Sequence, residues 1–370
     1  MIPAIAGRIP LVRRTKAPAL PLEERINHLT GLTVAPAGAG HHDLVARACG
    51  VLNYAALIAS DVGLPDLAED LCWRQHQVFA DAGHLGGRVA VMSLMPLVNI
   101  ARLQTRAGHG ELACRLLHCL NDAARHRTKV DVDGRTVDLS ALTRTDEDHR
   151  TVCQELYITL LVDGARALAR IGRWSEAADA MAQHRGIGNR LLDGRQIKIM
   201  ALMEQGLDQQ ARDLMDTTQP TEPWEGAVAD LLRAHCRLAV APLPRADLDR
   251  AQHAVALLLD DPEPSYAVFQ TRAGLAALDL DNSGPLIDSL ASPLTEAARL
   301  DAHAAREVLH HPVAAIVLDD EAKDLLNTVA AAAGLGSGAL HAHHREALTG
   351  AVSHAETQLA GLLQVETAPG

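Results

Sequence analysis

Four times in this chain a glycine is followed five positions later by an alanine, each time where one apolar helical pattern ends and another begins. The segments are Gly63 to Ala68 (GLPDLA), Gly108 to Ala113 (GHGELA), Gly172 to Ala177 (GRWSEA) and Gly206 to Ala211 (GLDQQA). A glycine at such a place ends a helix with positive φ, the polar residues after it start the next helix, and a small alanine lets the two helices approach closely. A chain that repeats this unit is committed to stacked helix pairs.

The last two of these glycines are 34 residues apart, the period of a tetratricopeptide helix–turn–helix unit, and the local wording resembles that family over roughly 42–240. The other gaps are 45 and 64 residues, so insertions interrupt the array. Aromatic residues make up 2% of the chain and hydrophobic ones 48%, so Ala, Leu and Val fill the interior, which favours helices over strands. The expected fold is all-α: an irregular tetratricopeptide-like helical-repeat solenoid with one small inserted β-hairpin. The hairpin is read from TKVDVDGRTVDLSAL at 128–142, where valines alternate with polar residues around Asp133-Gly134.

Residues 1–40 are rich in Pro and Gly and read as an extended basic arm around a short helix near 22–31. From His42 onward Leu44, Ala48, Val51, Leu52, Ala55 and Ile58 form one helix face. Residues 41–245 form the helical-repeat region, and 246–370 a C-terminal helical region continuous with it. Helices are expected there over 246–259, 265–280, 284–310 with an interruption, 319–333 and 343–363, for about 14 to 17 helices in all.

The formal net charge of −12 works against non-specific nucleic-acid binding by the chain as a whole, though a local basic patch escapes that argument. The six cysteines, at 49, 72, 114, 119, 153 and 236, form no CxxC pair, which predicts a reduced, cytoplasmic chain. The first residues are too broken by proline for a secretory signal, and no run of about 18 uncharged apolar residues predicts a membrane span.

No phosphate-loop, dinucleotide, metalloprotease or nucleophile-elbow motif occurs. GLGSG at 334–338 follows an alanine-rich helix and reads as a loop. The histidine clusters His41-His42, His310-His311 and His341-Ala-His343-His344 read as solvated helix ends, because zinc needs three or four converging ligands that spacing alone does not supply. No metal and no cofactor is expected. Two polar stretches invite a functional reading. In DVGLPDLAEDLCWRQH, 61–76, Trp73, Arg74 and His76 follow an acidic first turn, with Arg74 paired to Asp70 in the structural alternative. In HRGIGNRLLDGRQIKIM, 184–200, Arg185, Arg190, Arg195 and Lys198 suggest a local anion site, against the alternative of a solvated repeat junction.

The phrases ASDVGLPDLAEDLCWRQH (59–76), DGRTVDLSALTRT (133–145) and RLLDGRQIKIMALM (190–203) resemble a family of helical actinobacterial proteins that includes the aminoacyl-tRNA-dependent seryltransferases of azoxy-antibiotic, valanimycin-type pathways. The resemblance implies transfer of an aminoacyl group, most plausibly serine, from tRNA to a small hydroxylamine or amine acceptor. Since an aminoacyl ester is already activated, positioning supplies much of the acceleration. Under this reading Asp61 or His76 accepts the proton, Trp73 and Arg74 line the pocket, and Arg13, Arg14, Lys16, Arg185, Arg190, Arg195 and Lys198 supply the tRNA track. The competing readings are an interaction scaffold that binds a protein on the solenoid's concave face, and a ligand-sensing regulator.

Overall fold

The computed structural model describes residues 2–280 and 284–367. After a 3₁₀ turn at Ala4–Arg8 the chain runs through α1 (Leu22–Leu32), α2 (His41–Val62), α3 (Pro65–Ala82), α4 (Gly87–Met92), α5 (Met95–Arg106), α6 (Gly110–His126), strands β1 (Lys129–Val132) and β2 (Arg135–Asp138), and α7 (Asp146–Thr159). A π turn at Leu160–Gly164 leads to α8 (Ala165–Arg170), α9 (Trp174–Gln183), α10 (Asp193–Glu204), α11 (Asp208–Asp216), α12 (Pro223–Leu238) and α13 (Arg245–Leu259). A second 3₁₀ turn, Pro264–Tyr266, precedes α14 (Ala267–Leu278), α15 (Gly284–Ala298), α16 (Ala302–Leu309), α17 (Ala314–Val317), α18 (Asp320–Ala332) and α19 (Ala342–Thr367). The fold is all-α with one inserted antiparallel hairpin, in which Val130 pairs with Val137 and Asp133-Gly134 turn with φ of 51° and 79°.

The glycine–alanine unit is one structure repeated four times. Gly63, Gly108, Gly172 and Gly206 all have positive φ, between 72° and 90°. The residue after each glycine donates its N–H five residues back, as Leu64 does to Ala59 and Arg173 to Leu168, closing the helix end. The alanine then donates to the carbonyl of that same residue and opens the next helix, as Ala68 does to Leu64 and Ala177 to Arg173. All four alanines are fully buried, and any larger side chain would push the two helices apart.

The chain divides into two compact units: unit 1 holds 1–21 and 168–335, and unit 2 holds 22–167 and 336–370. These limits cut across the sequence-based ones. The basic arm belongs to unit 1 while the short helix after it, α1, belongs to unit 2, and the C-terminal region is shared out between them at 335/336. Each unit holds two of the four glycine–alanine turns.

The core of unit 2 gathers α1, α2, α3, α5, α6, α7, the hairpin and α19. Its central helix, α2, is long and apolar enough to cross a membrane, and most of its apolar stretch is buried in this core. The GLGSG loop caps it: Gly336 N–H donates to the Asp61 carbonyl and Gly338 N–H to that of Val62, each at 2.8 Å, so carbonyls left over at the helix end are satisfied. In unit 1 the arm lies along the helices, with Leu11 exchanging two hydrogen bonds with the fully buried Gln196 amide.

Candidate functional site

A cavity of about 430 Å³ in unit 2 lies between facing stripes of α2 and α5. Gly50, Asn53, Tyr54, Leu57 and Ser60 recur on α2 at helical spacing, opposite the buried face, and Asn99, Arg102, Leu103 and Arg106 do the same on α5. Cys72 from α3 is a buried part of the lining, and burial pushes its thiol up to about 12, so it serves as an apolar surface. The size is that of a small-ligand site.

The polar groups of this cavity form a directed network. The guanidinium of Arg102 can only donate; it meets both Asp163 Oδ2, at 2.9 and 3.0 Å, and Asn99 Oδ1, at 3.3 Å. That fixes the Asn99 amide, whose Nδ2 donates to Asn53 Oδ1 at 2.9 Å and leaves Asn53 Nδ2 as a donor without a partner among the described residues. The Tyr54 hydroxyl is likewise unpartnered among them, its ring being held by His28 edge-on at 5.4 Å and by the Arg25 guanidinium at 5.8 Å.

At the other end of the stripe Arg106 Nη1 donates to Ser60 Oγ and Asp61 Oδ1, both at 2.7 Å. Asp61 Oδ2 accepts from Arg25 Nη2, also at 2.7 Å, and both members of this second pair have almost no exposed side-chain surface. Two guanidiniums therefore share one carboxylate, which leaves a net positive charge beside a cavity whose free polar groups include donors from Asn53 and Arg106.

The residues singled out in the sequence fall in several places. Asp61 stands behind the cavity wall and positions Arg106. His76 lies eleven residues into α3, roughly 16 Å along the axis from the turn at whose other side Asp61 sits, so the two proton-acceptor candidates do not share one site. Burial lowers the His76 pKa, its Nδ1 has no partner among the described residues, and its ring meets Trp73 edge-on at 5.9 Å. Trp73 donates to Glu69 at 3.2 Å and carries the Arg135 guanidinium on its face at 4.9 Å, while Arg74 pairs with Glu356 at 2.6 Å rather than with Asp70. Neither borders the cavity.

The basic track lies in unit 1, and most of its charge is spent there. Arg13 pairs with Glu263 at 2.8 Å and stacks on Tyr266 at 3.9 Å, Arg14 pairs with buried Asp193, and the Lys16 backbone N–H donates to the Ser265 carbonyl. Arg190 donates to Glu222 and to the fully buried Glu225. Arg195 is itself buried and closes the end of α11 through the Leu214 carbonyl and the Thr217 and Thr218 hydroxyls at 2.7–2.9 Å. Arg190 and Lys198 share no helix face, because α10 begins only at Asp193. That start is fixed by close packing, since a Cβ on Gly194 would lie 2.2 Å from the Gly186 carbonyl oxygen. Arg185 is exposed and Lys198 half-buried, and neither has an ion-pair partner among the described residues.

The reading of the sequence missed Asn53, Tyr54, Asn99, Arg102 and Arg106. Their signal was present as a polar stripe on the side of α2 opposite the apolar face, and as Arg102 and Arg106 one turn apart after Asn99. No family model, curated protein or solved structure matches this chain.

Proposed function

We propose that unit 2 binds a small organic anion, a carboxylate or phosphate monoester with an apolar body, in the cavity between α2 and α5, and that the chain is a ligand-responsive helical protein. One observation carries this reading: the donor network ends in Asn53 Nδ2 and the half-used guanidinium of Arg106, beside a net positive cluster and over an apolar lining. An anionic head satisfies those donors and its hydrocarbon body covers Leu57, Met95 and Leu103. Isothermal titration of the full chain with hexanoate, hexyl phosphate and hexylamine tests it. The anions bind one per chain and the amine does not; equal binding of the amine refutes the reading.

A second reading, aminoacyl transfer from tRNA to a small acceptor, rests on the sequence resemblance, and one feature favours it: burial lowers the His76 pKa, which favours the neutral imidazole a base needs. Incubation with radiolabelled seryl-tRNA and a panel of hydroxylamines and amines decides it. Label moving to a small product, and lost in His76→Gln, supports transfer; label staying on the tRNA throughout excludes it.

A further inference from the structure

Within unit 2 the first turn of α1 meets the first turn of α19, and there Glu23, His343 and His344 bring three ligand atoms within 4.8 Å of one another. It is the one such convergence of His, Cys, Asp and Glu among the described residues. From this geometry we infer a binding site for a divalent transition-metal ion of the zinc class, with Glu23 Oε2, His343 Nε2 and His344 Nε2 as its protein ligands and water in the fourth position.

The distances suit the ion. Nitrogen and oxygen donors placed about 2.0–2.1 Å from a tetrahedral ion stand about 3.3 Å apart. Glu23 Oε2 lies 2.7 Å from His344 Nε2 and 3.7 Å from His343 Nε2, on either side of that value. The adjustment falls on side chains free to make it: Glu23 and His343 are 62% and 68% exposed, whereas His344 is 9% exposed and serves as the fixed ligand. The other Glu23 oxygen, Oε1, accepts from Asn27 one turn along α1, an outer contact of the kind that orients a ligating carboxylate. His341 lies parallel to His343 with ring centroids 6.0 Å apart and is outside the ligand set.

The ligand chemistry selects the metal. Two imidazoles and one carboxylate suit zinc, cobalt, nickel or copper, whereas calcium and magnesium take oxygen ligands. Both helices present their positive ends here, a field that opposes any divalent ion, so the imidazole lone pairs must supply the affinity. The acidic group needed to offset that field is Glu23, in the first turn of α1. With three protein ligands and one open position, a bound ion also ties the start of α1 to the start of α19.

The test uses untagged full-length protein stripped with a chelator. Zinc, titrated calorimetrically against a competing chelator, binds one per chain with micromolar or tighter affinity and raises the melting temperature, since only the folded chain brings the ligands together. Cobalt in its place gives the visible absorption of a tetrahedral site. His343→Ala and Glu23→Gln, both at exposed positions, each weaken binding at least ten-fold and remove the thermal shift, while His341→Ala changes neither. Absence of saturable zinc binding, or the same affinity in His343→Ala and Glu23→Gln as in the parent, overturns the site.

Discussion

Arginines pair with acids in both units and are used in opposite ways. At the 184–200 junction of unit 1 they end on acids and carbonyls of their own unit: Arg14 on Asp193, Arg190 on Glu222 and Glu225, Arg195 on the end of α11. Along α5 of unit 2, Arg102 and Arg106 spend part of their donors on Asp163, Asn99, Ser60 and Asp61 and turn a cavity into a donor-lined site. Charge density in a sequence therefore does not measure charge available to a ligand. What matters is how far the fold engages each cation: at 184–200 it engages Arg190 and Arg195, while Arg185 and Lys198 have no ion-pair partner among the described residues.

The largest effect expected from breaking this contrast is at the buried pair of unit 2. Asp61→Ala leaves the Arg25 guanidinium, 1% exposed, without its counter-charge, and costs about 3–5 kcal/mol in urea denaturation. In unit 1, Glu296→Ala removes a half-exposed partner from the half-exposed guanidinium of Arg299 and costs at most about 1 kcal/mol. Equal losses would erase the distinction.

The next effect belongs to unit 1 and to pH. His235 is buried, with Nε2–H donating to the Ala276 carbonyl, and burial lowers its pKa from 6.5 to about 4. Between those values the unfolded chain binds a proton that the folded chain refuses. This contribution to stability is therefore full above pH 6.5, falls as pH is lowered through the window and levels off below about 4. The loss is on the order of 3 kcal/mol. Denaturation midpoints between pH 7 and 4 show the slope, and His235→Phe flattens it; an unchanged slope in that variant assigns the proton elsewhere.

A smaller effect sharpens the contrast from the unit 2 side. Arg106→Gln removes the charged donor at the cavity edge while Arg25 keeps Asp61 paired, and weakens hexyl phosphate binding about ten-fold, or about 1.4 kcal/mol. Arg74→Gln, away from the cavity, leaves that affinity alone. The smallest effect is at the two junction cations without ion-pair partners among the described residues: Arg185→Gln and Lys198→Gln shift stability by no more than about 0.5 kcal/mol.

The parts of the fold that the sequence revealed are those written in neighbouring residues. Gly63 and Ala68 specify their turn within six positions, and Asp133-Gly134 specifies the hairpin in two. The site was not legible because its chemistry lies in pairings between distant residues. Asp61 looked like a free acid until Arg25, 36 positions away, took one of its oxygens. Arg14 meets Asp193 across 179 positions, and His344 meets Glu23 across 321. Asn53 and Asn99 became informative only when α2 and α5 faced each other, since an isolated asparagine on an exposed stripe carries no sign of its partner.

The most direct measurement is amide NMR mapping of hexyl phosphate binding on the full chain, because it asks which arginines an anion reaches. The account predicts saturable shifts at Asn53, Asn99 and Arg106 and at neighbouring positions of α2 and α5, with Arg185 to Lys198 unmoved. Shifts gathered at Arg185 to Lys198, with the α2 and α5 stripes silent, would contradict it.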